Sequence, residues 1–232
     1  MLFRSVHHNV AVTVGGPFGP AFADVRVFEQ FAAFCGDNGG RPVFYSVSDA
    51  PSAELASRGW YRLRIAEEAL LDAQEWTPAG KKRQDIRTAT NKAAREGVTA
   101  VWTRWADLSI AQHLQLRTLS ESWLADKELP EMEFTLGGLD QVDDPDVRLM
   151  LAIAEDGRIE AITSWLPLYG PDGLRGYVLD VMRRRHEAFN GVMEFVIGAV
   201  VVQLKEEGLQ TLSLSGAPLA YTAEPGAESD AV

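Results

Sequence analysis

Asp180 and Arg183 follow the β-prone run Tyr177-Val178-Leu179, three residues apart, at what reads as the end of a strand. A carboxylate placed there can take a proton from an acceptor hydroxyl or engage an ammonium group, and a nearby guanidinium can hold a phosphate through its planar fork. An ordinary ion pair at a strand end explains the same spacing. Asn190-Gly191 then turns the chain into an amphipathic pattern with Glu194 in its first turn. The amino end of a helix presents unpaired N–H groups and a partial positive charge, so Asn190 and Gly191 are candidates for binding an anionic substrate, and Glu194 for acting beside them. Asn also suits an N-cap, and an acid suits any first helical turn. Ser215 ends the next β-prone run, Thr211 to Ser215, and is grouped with Asn190 and Gly191 as substrate-binding. No nucleophile-elbow pattern surrounds Ser213 or Ser215, which sets aside a Ser-His-Asp hydrolase.

A second group is basic. Lys81, Lys82, Arg83 and Arg87 open a helical stretch in which six Lys/Arg stand against one acid between Lys81 and Arg95. They suit contacts to the phosphates of an anionic partner, or simply a solvated helix face. His7, His8 and His113 have no acidic or cysteine partners at metal-ligand spacing, so neither a metal nor any other cofactor is expected. His186, beside Arg184 and Arg185, is a lone loop histidine.

Composition bounds the rest. The chain has 232 residues, 46% of them hydrophobic, enough for one large or two small packed domains. Its longest apolar stretch, Phe195 to Val202, is far short of the ~20 residues that span a bilayer, and Met1-Leu2-Phe3-Arg4 has no hydrophobic signal core. The single Cys35 excludes an internal disulfide and fits a reducing compartment, so a cytoplasmic location is expected. The formal charge of −11 argues against general nucleic-acid binding. The acids are unevenly placed, however: twelve Asp/Glu stand against three Lys/Arg from Glu121 to Glu160. At contact range the local field outweighs the total, because screening sets in over ~8 Å.

The elements needed to position these residues read as an α/β chain. Asn9 to Val14 alternates like a strand, Asp24 caps a helix with apolar face Val27, Phe28, Phe31, Ala32 and Cys35, and Gly39-Gly40 ends it. Arg41 to Ser48 is strand-like, Pro51 to Arg58 a short helix, and Tyr61 to Asp72 a further strand region. Residues 1–76 thus form a first lobe, and residues 77–97 a basic connecting helix closed by Gly97. Residues 98–220 form a second lobe, and residues 221–232 a disordered tail. Within the second lobe come a strand from Val98 to Arg104 and a helix from Leu108 to Ala125, with Leu114, Leu116, Leu119 and Trp123 facing inward. Glu131 to Gly138 is a loop, and a hairpin of Val147–Glu155 and Arg158–Pro167 turns at Asp156-Gly157. The strand–loop–helix–strand unit that carries Asp180 to Ser215 follows.

That unit resembles the working centre of N-acetyltransferase-like (GNAT) folds, where the loop holds a pyrophosphate. Here only Gly191 is small, and Arg185, His186, Glu187 and Phe189 stand where a pyrophosphate cradle carries small residues, so coenzyme A is not the expected ligand. The wording is more specific than the fold. Leu179-Asp180-Val181-Met182-Arg183, Asn190 to Phe195, Ser213 to Leu219, Gly80 to Arg87 and Ser122-Trp123-Leu124 occur in the order found in the cytosolic domain of aminoacyl-phosphatidylglycerol synthases. The resemblance to that multiple peptide resistance factor family runs from about Val10 to Leu219. It implies tandem GNAT-like mixed sheets, the second lobe lacking its last elements. It also implies a transferase that moves an amino acid, lysine above all, from aminoacyl-tRNA to phosphatidylglycerol at a membrane surface. In that reading Asp180, Arg183 and Glu194 are catalytic. A non-catalytic module of the same fold and a coenzyme A-dependent acyltransferase are the alternatives.

Overall fold

The structure, a computed structural model, describes residues 3–17, 24–125, 138–170 and 172–218. The chain forms two units, Met1–Ala66 with Pro218–Val232, and Glu67–Ala217. The expected loop at 131–137 and tail at 221–232 lie outside the described residues.

The smaller unit holds a three-stranded mixed sheet in which β1 (Phe3–His7) is antiparallel and β3 (Arg41–Tyr45) parallel to the central β2 (Val10–Val14). His8 and Asn9, both at positive φ, close the β1–β2 hairpin with the twist that two-residue turns require. Helix α1 (Val25–Asp37) starts where Asp24 accepts a hydrogen bond from the Arg26 N–H at 2.9 Å. It packs Val25 and Phe28 with Leu55 of α2 (Asp49–Ser57) over Phe44 and Trp60. Cys35 is buried on α1.

The larger unit is a six-stranded sheet of order β4-β9-β8-β7-β6-β5, formed by β4 (Ala66–Asp72), β5 (Thr99–Thr103), β6 (Arg148–Ile153), β7 (Ile159–Gly170), β8 (Gly173–Arg184) and β9 (Thr211–Pro218). Alternation along β6 sends Leu149 and Leu151 to one face and Met150 and Ala152 to the other. The first face meets Leu116 and Leu119 of α4 (Ile110–Ala125); the second is covered by α3 (Gln84–Arg95) and α5 (Val192–Glu206). Leu114, expected inside, is 61% exposed because the helix turns it away from the sheet. No helix among the described residues is long and apolar enough to cross a membrane.

Two boundaries differ from the sequence expectation. The strand ending at Asp72 does not close the first lobe: it lies at the edge of the large sheet, hydrogen-bonded beside β9. The division therefore falls after Ala66 rather than after residue 76. The stretch expected as a polar connector packs as a helix of the larger unit. Ala89 and Ala93 are buried against α5, and a Cβ on Gly198 would come within 2.7 Å of the Ile86 side chain. Small residues on both helices allow that approach, a signal that a search for large apolar side chains passes over.

Asp72 ties the edge strand down. Burial would raise its carboxyl, but hydrogen bonds from Gln210 Nε2 at 3.0 Å and from the N–H groups of Gln74 and Glu75 outweigh that and hold it below its ordinary value of 3.8. A lowered carboxyl stabilises the fold above the ordinary value, and that contribution is lost as pH falls through the lowered one. The urea midpoint should therefore fall as pH drops below about 4, and the stability gap between wild type and Asp72→Asn should narrow over the same range. A constant gap across that range would remove Asp72 from the acid sensitivity.

Candidate functional site

β8 and β9 pair in parallel only over Gly176–Thr211, Tyr177–Leu212 and Val178–Ser213. Beyond Val178, β8 continues to Arg184 and β9 to Pro218, with no further pairing between the two among the described residues. The sheet thus opens at the carboxyl ends of two parallel strands, and Asp180 lies just past the last pair.

A strand with strict alternation would send residues three apart to opposite faces. Asp180 and Arg183 escape this because the β7–β8 register slips. Thr163 pairs with Met182 and Trp165 with Leu179, so three steps on β8 match two on β7. The extra residue lies opposite Ser164. Arg183 pairs with Ile162, which faces α4, and Leu179 pairs with Trp165, which faces α5. Asp180, the neighbour of Leu179, consequently faces α4 together with Arg183.

Contacts agree with that placement. The Ser164 hydroxyl lies 3.3 Å from Asp180 Oδ2 and accepts a hydrogen bond from the Val181 N–H at 2.9 Å. Arg183 donates to the Ser120 hydroxyl of α4, and its guanidinium stacks 5.3 Å from the Trp123 ring centroid. Arg183 is only 4% exposed. Its strand carries it under α4. A short distance across the same face, buried Ser213 hydrogen-bonds Glu68 of β4 and accepts from the Ser215 N–H at 3.0 Å. Ser215, within β9, has φ +65°, a left-handed conformation uncommon for serine.

The loop into α5 is tied rather than open. The Arg185 N–H donates to Glu160 O at 2.8 Å, and Arg185 Nε to Ile159 O at 2.7 Å. Phe189 packs against Phe195 under the Lys92 ammonium. Gly191, not Asn190, is the cap residue of α5, at φ +102° and close against Ala89, a backbone state and a gap that a side chain would not fit. Asn190 is exposed one residue earlier. Glu194 is exposed on the first turn of α5, so it belongs to the sheet face opposite Asp180. The expected trio is thereby split, because β8 and the helix that follows it project from different sides of the sheet.

Of the basic group, Lys81 and Lys82 are exposed on a 3₁₀ turn, Lys81–Arg83, and Arg83 is half-buried. Arg87 is committed to structure, donating to Pro78 O at 2.6 Å and Gly80 O at 2.7 Å. An apolar hollow of about 880 Å³ lies between α3, α5 and β5, walled by Trp76, Ile86, Trp102, Phe195 and Val202. Among the described residues no group of three or more His, Cys, Asp or Glu could hold a metal ion. Sequence reasoning missed Ser120, Ser164 and Glu68. Neither Ser164, which stands beside a second hydroxyl in Thr163, nor Glu68 left a distinctive trace.

Comparison with known proteins places the chain in a family and finds solved structures of the same fold. The family described as "Phosphatidylglycerol lysyltransferase, C-terminal" matches residues 1–231. An uncharacterized protein of Corynebacterium glutamicum is 42% identical over 97% of this chain, which spans 28% of that protein. The lysylphosphatidylglycerol biosynthesis bifunctional protein LysX of Rhodococcus jostii is 27% identical over 95% of this chain, which spans 20% of it. Among solved structures, L-PGS from Bacillus licheniformis superposes with a TM-score of 0.82 at 24% identity, covering 97% of this chain and 68% of that one. The C-terminal domain of a putative lysylphosphatidylglycerol synthetase from Agrobacterium fabrum gives 0.80 at 21% identity, covering 94% and 67%.

Proposed function

The chain belongs to the phosphatidylglycerol lysyltransferase C-terminal family, and on that premise we propose that it transfers an aminoacyl group, lysine in particular, from a charged tRNA to a hydroxyl of phosphatidylglycerol at a membrane surface. The observation that carries this reading is the pairing of Asp180 and Arg183 on one face of the sheet, beside the opening between β8 and β9.

The chemistry asks for little beyond placement, because the aminoacyl ester of tRNA is already activated. The lipid hydroxyl attacks the ester carbonyl, Asp180 takes its proton, a new ester forms, and the tRNA ribose oxygen leaves with a proton. Alignment of hydroxyl and carbonyl can supply ~7–11 kcal/mol of the barrier. Arg183, fixed by Ser120 and Trp123, supplies positive charge where negative charge develops. Ser215 and the Asn190-Gly191 turn border the substrate path, while Glu194 stays outside the chemical step. The hollow between α3 and α5 suits hydrocarbon rather than the polar donor.

The test is incubation of the protein, in its longest natural form, with labelled lysyl-tRNA and phosphatidylglycerol vesicles. Label should enter the lipid fraction, and replacing the lipid by its deacylated headgroup should reduce transfer sharply. Label that stays on tRNA or appears only as free lysine would leave the fold without this reaction.

Lys81 and Lys82 are the exposed cations for the tRNA backbone. Lys81→Glu with Lys82→Glu should weaken tRNA binding, each lost phosphate contact lowering the log–log salt slope by ~0.7–0.9. An unchanged slope would make this turn a plain solvated surface.

A further inference from the structure

We infer that Ser164 is a positioning residue for the transfer reaction, acting through Asp180; the inference rests on the function proposed above. Ser164 is 0% exposed, so its hydroxyl must find its partners within the protein. Both partners are on β8, and both belong to the register slip. The hydroxyl accepts from the Val181 N–H at 2.9 Å, a donor that the slip takes out of regular pairing with β7. It also lies 3.3 Å from Asp180 Oδ2, to which it donates. One side chain therefore stabilises the extra residue and orients the carboxylate that this residue brings round to the α4 face.

Without the slip, Asp180 and Arg183 would point to opposite sides of the sheet, and the guanidinium could not lend its charge to the face that carries the carboxylate. Ser120 does the parallel work for Arg183 from the other wall. It is buried on α4 and accepts from the guanidinium, while Trp123 one turn on covers the same group. Two buried serines on separate elements thus fix the two charges independently. The arrangement is costly to keep for packing alone, since an alanine would fill nearly the same space without a polar group to satisfy. Misplacement of a reacting group by about 1 Å can cost roughly 10²-fold in rate.

A double-mutant cycle in the longest natural form of the protein tests this. Ser164→Ala should lower kcat for lysyl transfer roughly 10²-fold with little change in KM for tRNA, and Ser164→Thr, which restores a hydroxyl, should recover most of the loss. In an Asp180→Asn background, Ser164→Ala should cost little more, because there is no longer a carboxylate to orient. Full additivity of the two losses would overturn the inference, as would Ser164→Ala at wild-type kcat. Hydrogen exchange at the Val181 amide reads the same device without turnover, and it should speed up in Ser164→Ala. Wild-type protein that transfers nothing but loses Val181 protection in Ser164→Ala would sink the proposed function while sustaining the structural role. Unchanged protection would remove the structural role as well. If the threonine variant fails to fold, the alanine cycle decides.

Discussion

Gly176→Ala should destabilise the larger unit by roughly 3 kcal/mol or more, at the upper end of what overpacking costs. A Cβ built on Gly176 would lie 1.8 Å from Thr211 O and 2.6 Å from Thr211 C. Those are backbone atoms of the adjacent strand, so no rotamer change relieves the clash, and Gly176–Thr211 is the first of only three pairs that join β8 to β9. Separating them would break the parallel junction from which the site opens. With ~2–4 °C of melting temperature per kcal/mol for a chain of this size, a fall of about 6–12 °C is expected. Gly36→Ala offers a contrast of opposite sign. It lies within α1 with nothing within 4 Å of its added Cβ, and glycine inside a helix is worse than alanine by roughly 0.5–1 kcal/mol. Thermal melts of the two variants should move in opposite directions. A Gly176→Ala protein that melts with wild type would mean that β8 and β9 tolerate separation.

The features that sequence made legible are those with local causes. The Asp156-Gly157 turn sets the β6–β7 hairpin, Asp24 caps α1, and the apolar period of Val192 to Leu204 builds α5. The strand–loop–helix–strand unit could be read because every step has a local turn or cap. The partners of β4 could not. Nothing in Ala66 to Asp72 says that it will lie beside β9, nearly 140 residues later by the Gln210–Asp72 contact. The β1–β2 hairpin was hidden because His8 is not a usual turn residue, although its φ of +45° is what the turn demands.

The site was legible in part for the same reason. Asp180 and Arg183 stood out as charges at the end of an apolar strand, but their common face depends on one slipped residue, and a slip is a property of two strands together. Strict alternation, applied honestly to β8, would have separated them. Nor could spacing along the chain show that Arg183 is covered by α4 or that Glu194 lies across the sheet, since both depend on which face each helix chooses.

Asp180→Asn should lower the rate of lysyl transfer by roughly 10²–10⁴-fold, the range over which a positioned general base contributes, while the fold is retained. The substitution keeps the shape of the side chain and an oxygen that can still accept from Ser164, so the register slip and the Arg183 stack should survive. What it removes is the ability to take up a proton from the acceptor hydroxyl. The loss should lie in kcat, with KM for the charged tRNA little changed, because Asp180 acts on the acceptor rather than on the body of the donor. Arg183→Lys should also impair transfer, for a different reason: a lysine cannot stack flat on Trp123 while bonding Ser120, so charge is kept but its place is lost. Glu194→Gln, across the sheet on α5, should leave the rate near that of wild type. Single-turnover transfer of labelled lysine, with circular dichroism to confirm folding, separates the three. Near-normal turnover by a folded Asp180→Asn would take the proton transfer away from this strand, and a collapse of activity in Glu194→Gln would move the chemistry to the amino end of α5.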